Sequence, residues 1–444
     1  MKKSLLIVLT AASLAGCSSN SGSAPAASGG AAATAGSKEP ITIKVQGWYT
    51  EAQGNWNKTV EAYNKTHPNV KVVYEGMSEK GDSQEGMKKL DLLAASGEQM
   101  DVVMYSSPAD FAQRVGAGIL EPLDDYLKKD GVVVKDEYKV DQSVNGKNYS
   151  LPGKTAQWFV MLNKDKLDEA KLPVPTDWTW NDYAEYAKKL TKGEGANKTY
   201  GSYFHNWKEY GLLALMNDKD NPYLATPDGT PNINNDKVKF SLDLRNKMEN
   251  VDKTSVPYFD VVSQKMAYRD VFYAGKTAML ATGDWMIGEL VLNGKFKTAF
   301  APYPKYDAKD ENGYTSAGSD FIGVAASSKH KQEAYDFVRW YTTEGIMTQG
   351  LFMSGWKKAD INANIEAILK AGKPEVTALI DKDSLLATEK VNKAAKMIVP
   401  PTYALQQEKA YLDQVELFLT GKQDLNKTIT TATTKMEDIK KSGK

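Results

Sequence analysis

Residues 269–285, RDVFYAGKTAMLATGDW, decide the fold. Phe272 and Tyr273 ahead of Gly275 read as the end of an amphipathic helix, closed by a glycine suited to a left-handed C-cap. Residues 277–281 then read as a short buried strand. The strand runs into Gly283-Asp284-Trp285, a small residue followed by a carboxylate and a large ring at the strand's carboxyl end, which is where ligands sit in open α/β sheets. Taken alone, Trp285 suits core packing as well as it suits a cleft.

Around this stretch the chain alternates. Residues 41–45 read as a strand followed by Trp48 and Tyr49, residues 55–66 as a helix, 70–74 as a strand, 83–95 as a helix and 101–105 as a strand, the signature of a parallel sheet. Ser107-Pro108 opens a helix with an N-cap and a first-turn proline. Asn145-Gly146 is a hairpin turn that needs positive φ twice. Thr179 caps a helix whose third residue is Asp182, so Trp178 and Trp180 read as structural. Residues 200–204 read as a strand that delivers His205, Asn206 and Trp207. Residues 321–325 read as a strand, and 331–341 as a helix with a buried stripe at Ala334, Phe337, Val338 and Tyr341.

A chain of 444 residues exceeds what one core usually serves, so two lobes are expected. Lys+Arg and Asp+Glu both number 56, and the only arginines are Arg114, Arg245, Arg269 and Arg339. That leaves no electrostatic footprint for a nucleic acid. Only three histidines occur, none in helical pairing, so no metal or cofactor is expected. Asp218 and Asp220 are the one place a calcium reading stays open.

Met1–Cys17 has a basic start, an apolar run and small residues before the only cysteine, the layout of a secretory signal peptide. Residues 18–39 are rich in Ser, Ala and Gly and read as a flexible tether.

The spacing of Phe272, Gly275, Lys276, Ala278, Met279, Gly283 and Trp285 resembles a motif of extracellular solute-binding proteins that feed carbohydrate ABC importers, the maltose-binding-protein-like group. The phrases ASGEQMDVV (95–103), GAGILEPLDDYL (116–127) and Asn163-Lys164-Asp165 resemble further family segments in the same order, although Leu162 replaces the usual tyrosine. Leu14-Ala15-Gly16-Cys17 resembles the bacterial lipobox. The resemblance covers roughly residue 41 to the end.

It implies an α/β, two-lobed, periplasmic-binding-protein-like fold with a hinge and an inter-lobe ligand cleft. Residues 1–17 would be the signal peptide with lipobox and 18–39 the linker. Residues 40–155 plus 301–355 would form lobe 1, and 156–300 plus 356–444 lobe 2. The protein would be a monomer, held to the membrane outside the cytoplasm by acylation of Cys17, and would present a sugar to the permease subunits. The resemblance also places Trp356 and Tyr403 as late cleft aromatics.

From the residues themselves, strand ends release Trp48 and Tyr49, Tyr105, Trp207 and Trp285. On parallel sheets these would converge on a groove, with Glu51, Asn206, Asp284 and Asp320 beside them for hydrogen bonding. A ring covering about 100 Å² of sugar contributes roughly 2.5 kcal/mol at ~25 cal/mol/Å². Three such stacks and several hydrogen bonds suffice for micromolar binding with no covalent step. A surface-anchored glycoside hydrolase stays open, because 56 acidic residues contain many pairs. So does the same fold holding a non-sugar solute.

Overall fold

The computed structural model describes residues 40–443. The expected signal peptide, lipobox Cys17 and 18–39 linker lie outside the described residues. In chain order the strands are β1 (Ile41–Gly47), β2 (Val70–Gly76), β3 (Val102–Tyr105), β4 (Leu151–Thr155), β5 (Trp158–Asn163), β6 (Met279–Gly283), β7 (Thr298–Pro302), β8 (Tyr314–Thr315), β9 (Ser319–Val324) and β10 (Lys393–Ala394).

The first sheet has the order β2-β1-β3-β9-β4. β1 lies parallel to β2, with Ile41 opposite Val70, and parallel to β3. β9 runs antiparallel to both β3 and β4. The all-parallel expectation therefore holds only for the alternating strand–helix run. β9 comes back from the second half of the molecule and enters the sheet from the opposite end. The second sheet, β6-β5-β7, is wholly antiparallel, with Val160 opposite both Ala281 and Ala301. Residues 200–204, read as a strand, make only bridges, Tyr200 to Thr277 and Ser202 to Ser255.

Local chemistry places the element ends. The Ser107 side chain accepts from the Asp110 N–H above a first-turn Pro108, and Thr179 forms a capping box with Asp182. Asn145 and Gly146 take φ of 50° and 76°, as a two-residue turn of that type requires. Helix Tyr268–Tyr273 ends with the Gly275 N–H donating to Phe272 O at 2.8 Å and the Lys276 N–H to Val271 O at 3.1 Å, while Gly275 sits at φ 67°. That paired pattern is the Schellman closure, and it turns the chain straight into β6.

β5 shows how the second half is layered. Phe159 and Met161 face the packing group that includes Ile287 and Phe300, whereas Val160 and Leu162 face the group that includes Tyr183 and Tyr303. Helices cover both faces of that sheet. Ala156 and Gln157 carry the chain from β4 in the first sheet to β5 in the second.

The return was expected at 301 but comes later. Tyr303 packs edge-on against Trp180 at 5.0 Å and Trp158 at 6.2 Å, and Lys305 pairs with Asp177 at 2.8 Å, which keeps this stretch with the second sheet. The chain passes back where the Ala156 N–H donates to Gly318 O at 2.9 Å. A third passage follows Ser354, bridged to Lys154, and here Gly355 touches the first crossing so closely that a Cβ would lie 2.5 Å from Gly153 O.

Candidate functional site

The candidate site includes Trp285. β6 ends at Gly283, and Asp284-Trp285 begin helix Trp285–Asn293. The indole lies down on the backbone of Gly283, where a Cβ would come within 2.1 Å of the ring. Its Nε1–H donates to Tyr268 Oη at 3.2 Å, and Trp158 stands edge-on to it at 5.2 Å. Trp207 is 6.5 Å away and itself packs edge-on to Tyr268 at 5.0 Å. His205 closes this wall at 5.1 Å from Trp207 and 5.4 Å from Tyr268. Burial, with the charges of Arg245 and Arg269, pushes His205 down to about 4, so the ring is neutral at physiological pH.

A second aromatic group comes from the first sheet. Tyr49, just past β1, tilts on Trp48 at 4.6 Å and on Phe352 at 5.1 Å, and its hydroxyl donates to Asp320 at 2.8 Å. Lys154 of β4 pairs with the other Asp320 oxygen at 3.1 Å, both side chains being less than a tenth exposed. The Lys154 ammonium is 6.0 Å from the ring centres of both Trp285 and Phe352, so one cation ties the two aromatic groups together.

Beneath Trp285, Asp284 is buried. One of its oxygens accepts from Thr155 Oγ1 at 2.5 Å, and its backbone N–H donates to Gln157 O at 3.0 Å. Its other oxygen has no hydrogen-bond partner among the described residues, and the same is true of Glu389 Oε1. Burial drives both carboxyls upward, and for Glu389 the neighbouring Asp284 charge adds to it. Lys154 and Lys139 partly oppose this at Asp284. Lys139 is itself lowered by burial and donates to Ser354 O at 2.8 Å.

The expected site residues therefore divide. Trp48, Tyr49 and Asp320 form one group, and Trp207, Asp284 and Trp285 the other, with Asn206 exposed next to Trp207. Tyr105 is a correction: it is 1% exposed and packs against Phe111, because β3 lies between two strands and is buried on both faces. Glu51 is exposed and its carboxylate accepts from the Asn57 N–H at 2.9 Å, which caps the next helix. Trp356 is half-buried on a bridge to Tyr138 with Lys358 over its ring, and Tyr403 donates to Asp228 O at 3.3 Å. Among the described residues no ring contact joins either one to Trp285. Asp218 spends its carboxylate on the Asp220 and Asn221 amides and on Lys237.

Trp158, Lys154 and Tyr268 were not singled out from sequence. Trp158 opens a strand directly after the crossing between sheets, a placement that marks it in retrospect. Two surface depressions, of about 430 Å³ beside Leu127 and Val132 and about 420 Å³ between Val140 and Met397, contain none of these rings. Helix Pro108–Gly116 touches the segment entering helix Ala404–Leu419, with Gly116 against Thr402.

Two sheets of different strand order, with rings and buried charges from both meeting at their junction, give the chain a two-lobed α/β architecture. The chain belongs to the bacterial extracellular solute-binding protein family, whose profile matches residues 47–348. It is 24% identical over 329 residues to the multiple sugar-binding protein of Streptococcus mutans, covering 70% of this chain and 73% of that one. In structure it is similar to an ABC substrate-binding protein of Listeria monocytogenes in complex with cycloalternan, with a TM-score of 0.73 and 18% identity over 90% of this chain and 98% of that one. It is also similar to a sugar transporter from Rhizobium etli in an open conformation, with a TM-score of 0.70 and 24% identity over 89% and 99%.

Proposed function

We propose that this protein captures a sugar or oligosaccharide between its two lobes and delivers it to the permease of an ABC importer, acting as a monomer and carrying out no chemistry on its ligand. The observation that carries this reading is the Trp285 platform. Its indole is packed by Gly283, Tyr268 and Trp158, with Trp207 at 6.5 Å and the Lys154 ammonium, itself paired with Asp320, at 6.0 Å from its ring centre. Sugars present apolar C–H faces and donor-rich rims, and rings set beside acceptors suit both. A ligand touching both lobes stabilises the form in which they meet, and only that difference moves the hinge. The names of the relatives support the sugar class.

The test is a thermal-shift screen over mono- and oligosaccharides, in which a ligand at 100 times its Kd adds about 2.7 kcal/mol. Trp285→Ala should weaken binding of the best hit by at least about 2 kcal/mol in calorimetry. Normal binding by that variant would remove the platform from the reading. Chromatography of the sugars afterwards separates binding from hydrolysis, because a hydrolase would return shorter products.

The lipid anchor belongs to the same proposal. Cys17→Ser should move the protein from the membrane fraction to the soluble extracytoplasmic fraction. Unchanged membrane retention would rule out Cys17 as the anchor.

A further inference from the structure

We propose that Tyr268 is a positioning residue for the ligand platform: its hydroxyl sets the plane of Trp285 before any ligand arrives. This rests on the sugar-capture reading for its binding arm but not for its structural arm.

Helices Tyr268–Tyr273 and Trp285–Asn293 are joined twice. Trp285 donates its indole N–H to Tyr268 Oη, and one turn later Glu289 accepts from Arg269 Nε through both oxygens at 2.7 Å. Residues four apart on a helix lie on one face. Adjacent residues of one helix thus clamp consecutive turns of the next.

Arg269 in turn lies over the Tyr268 ring at 4.5 Å. His205 and Trp207 pack on the same ring at 5.4 and 5.0 Å, so Tyr268 has one available position. Burial pushes its hydroxyl up to about 12, so it remains protonated throughout the physiological range and the bond to Trp285 does not titrate.

Trp285 needs this partner because its other supports do not fix rotation of the ring. Gly283 leaves the room that the indole occupies, and Trp158 stands perpendicular to it at 5.2 Å. A ring free to tilt would present a sugar with a family of orientations, and part of the stacking free energy would go into ordering it on binding.

The test uses the full mature chain with 15N-labelled tryptophan. Loss of one indole resonance in Trp285→Phe assigns the Trp285 N–H. In Tyr268→Phe that resonance should shift upfield and exchange faster with solvent, with no ligand present. An unchanged shift and exchange rate would overturn the proposal whatever the ligand proves to be.

With the best saccharide from the thermal-shift panel, Tyr268→Phe should lower affinity about five- to tenfold. The same change made in a Trp285→Phe background, which has no indole N–H to hold, should have almost no effect. Equal losses in the two backgrounds would show that Tyr268 acts on the ligand or the fold without Trp285. If no saccharide binds the parent chain, the sugar reading fails while the resonance arm still decides the role of Tyr268.

Discussion

Arg245→Ala should destabilise the protein by about 3–5 kcal/mol, the cost of leaving one partner of a buried ion pair alone. Arg245 and Glu249 are 1% and 0% exposed, and Arg245 Nε donates to Glu249 at 2.5 Å. The other Glu249 oxygen accepts the Tyr258 N–H at 3.0 Å, so the carboxylate cannot turn away to water without breaking a backbone contact. The guanidinium also lies 5.2 Å from the Tyr258 ring and 5.9 Å from Phe204, packing that alanine forfeits.

Burial already holds Glu249 above the ordinary carboxylate range even with Arg245 present, and removing the cation would raise it further. A carboxyl whose folded value exceeds its unfolded one holds its proton to higher pH in the native state than in the unfolded chain. Native stability is then present at low pH and is lost as pH rises past the unfolded value. The penalty in urea unfolding should therefore be larger at pH 8 than at pH 5. Arg245→Met with Glu249→Leu should recover most of it, since neither charge is then left in the core. A single variant within 1 kcal/mol of the parent would mean that water reaches Glu249.

The elements that were legible in the sequence are those set by short-range chemistry. The Ser107-Pro108 start, the Thr179 capping box, the Asn145-Gly146 turn and the closure at Gly275 each rest on atoms within a few residues of one another, and each forms as read. The motif at 269–285 was legible for the same reason. Its spacing carries a helix end, a turn and a strand in one window, and the family profile spans it.

What was not legible is set by contacts distant in sequence. β9 arrives between β3 and β4 from the other half of the chain, and nothing within residues 101–105 announces a neighbour at 321–324. That neighbour buries Tyr105, a residue that an open strand end would have released. Glu51 illustrates a different limit. A carboxylate beside a strand end suits a ligand, but the amide of Asn57 is six residues away and a helix start needs an acceptor. The meeting of Lys154 with Trp285 joins a crossing strand to a motif more than a hundred residues later, and no local pattern encodes it.

Lys154→Ala carries the second large effect, again about 3–5 kcal/mol by the same reasoning about a broken buried pair. Asp320 would keep only the Tyr49 hydroxyl at 2.8 Å, and Asp284 would lose the cation that most opposes its upward shift. Both carboxyls are already raised by burial, so in the variant they would hold protons to higher pH still. The direction follows as for Glu249: the loss of stability relative to the parent should grow as pH rises from 5 to 8.

Function separates this site from the Arg245 pair. Lys154 lies on β4, 6.0 Å from the ring centres of both Trp285 and Phe352, so its removal takes away the cation the two aromatic groups share as well as leaving Asp320 without its counter-ion. Lys154→Met with Asp320→Asn should restore the part of the stability lost by stranding Asp320, with Asp284 still lacking its cation, but should not restore ligand affinity, because the cation near both rings is still missing. Recovery of both would show that Lys154 serves only as the counter-ion of Asp320, whereas recovery of neither would mean that the cost lies in packing rather than charge.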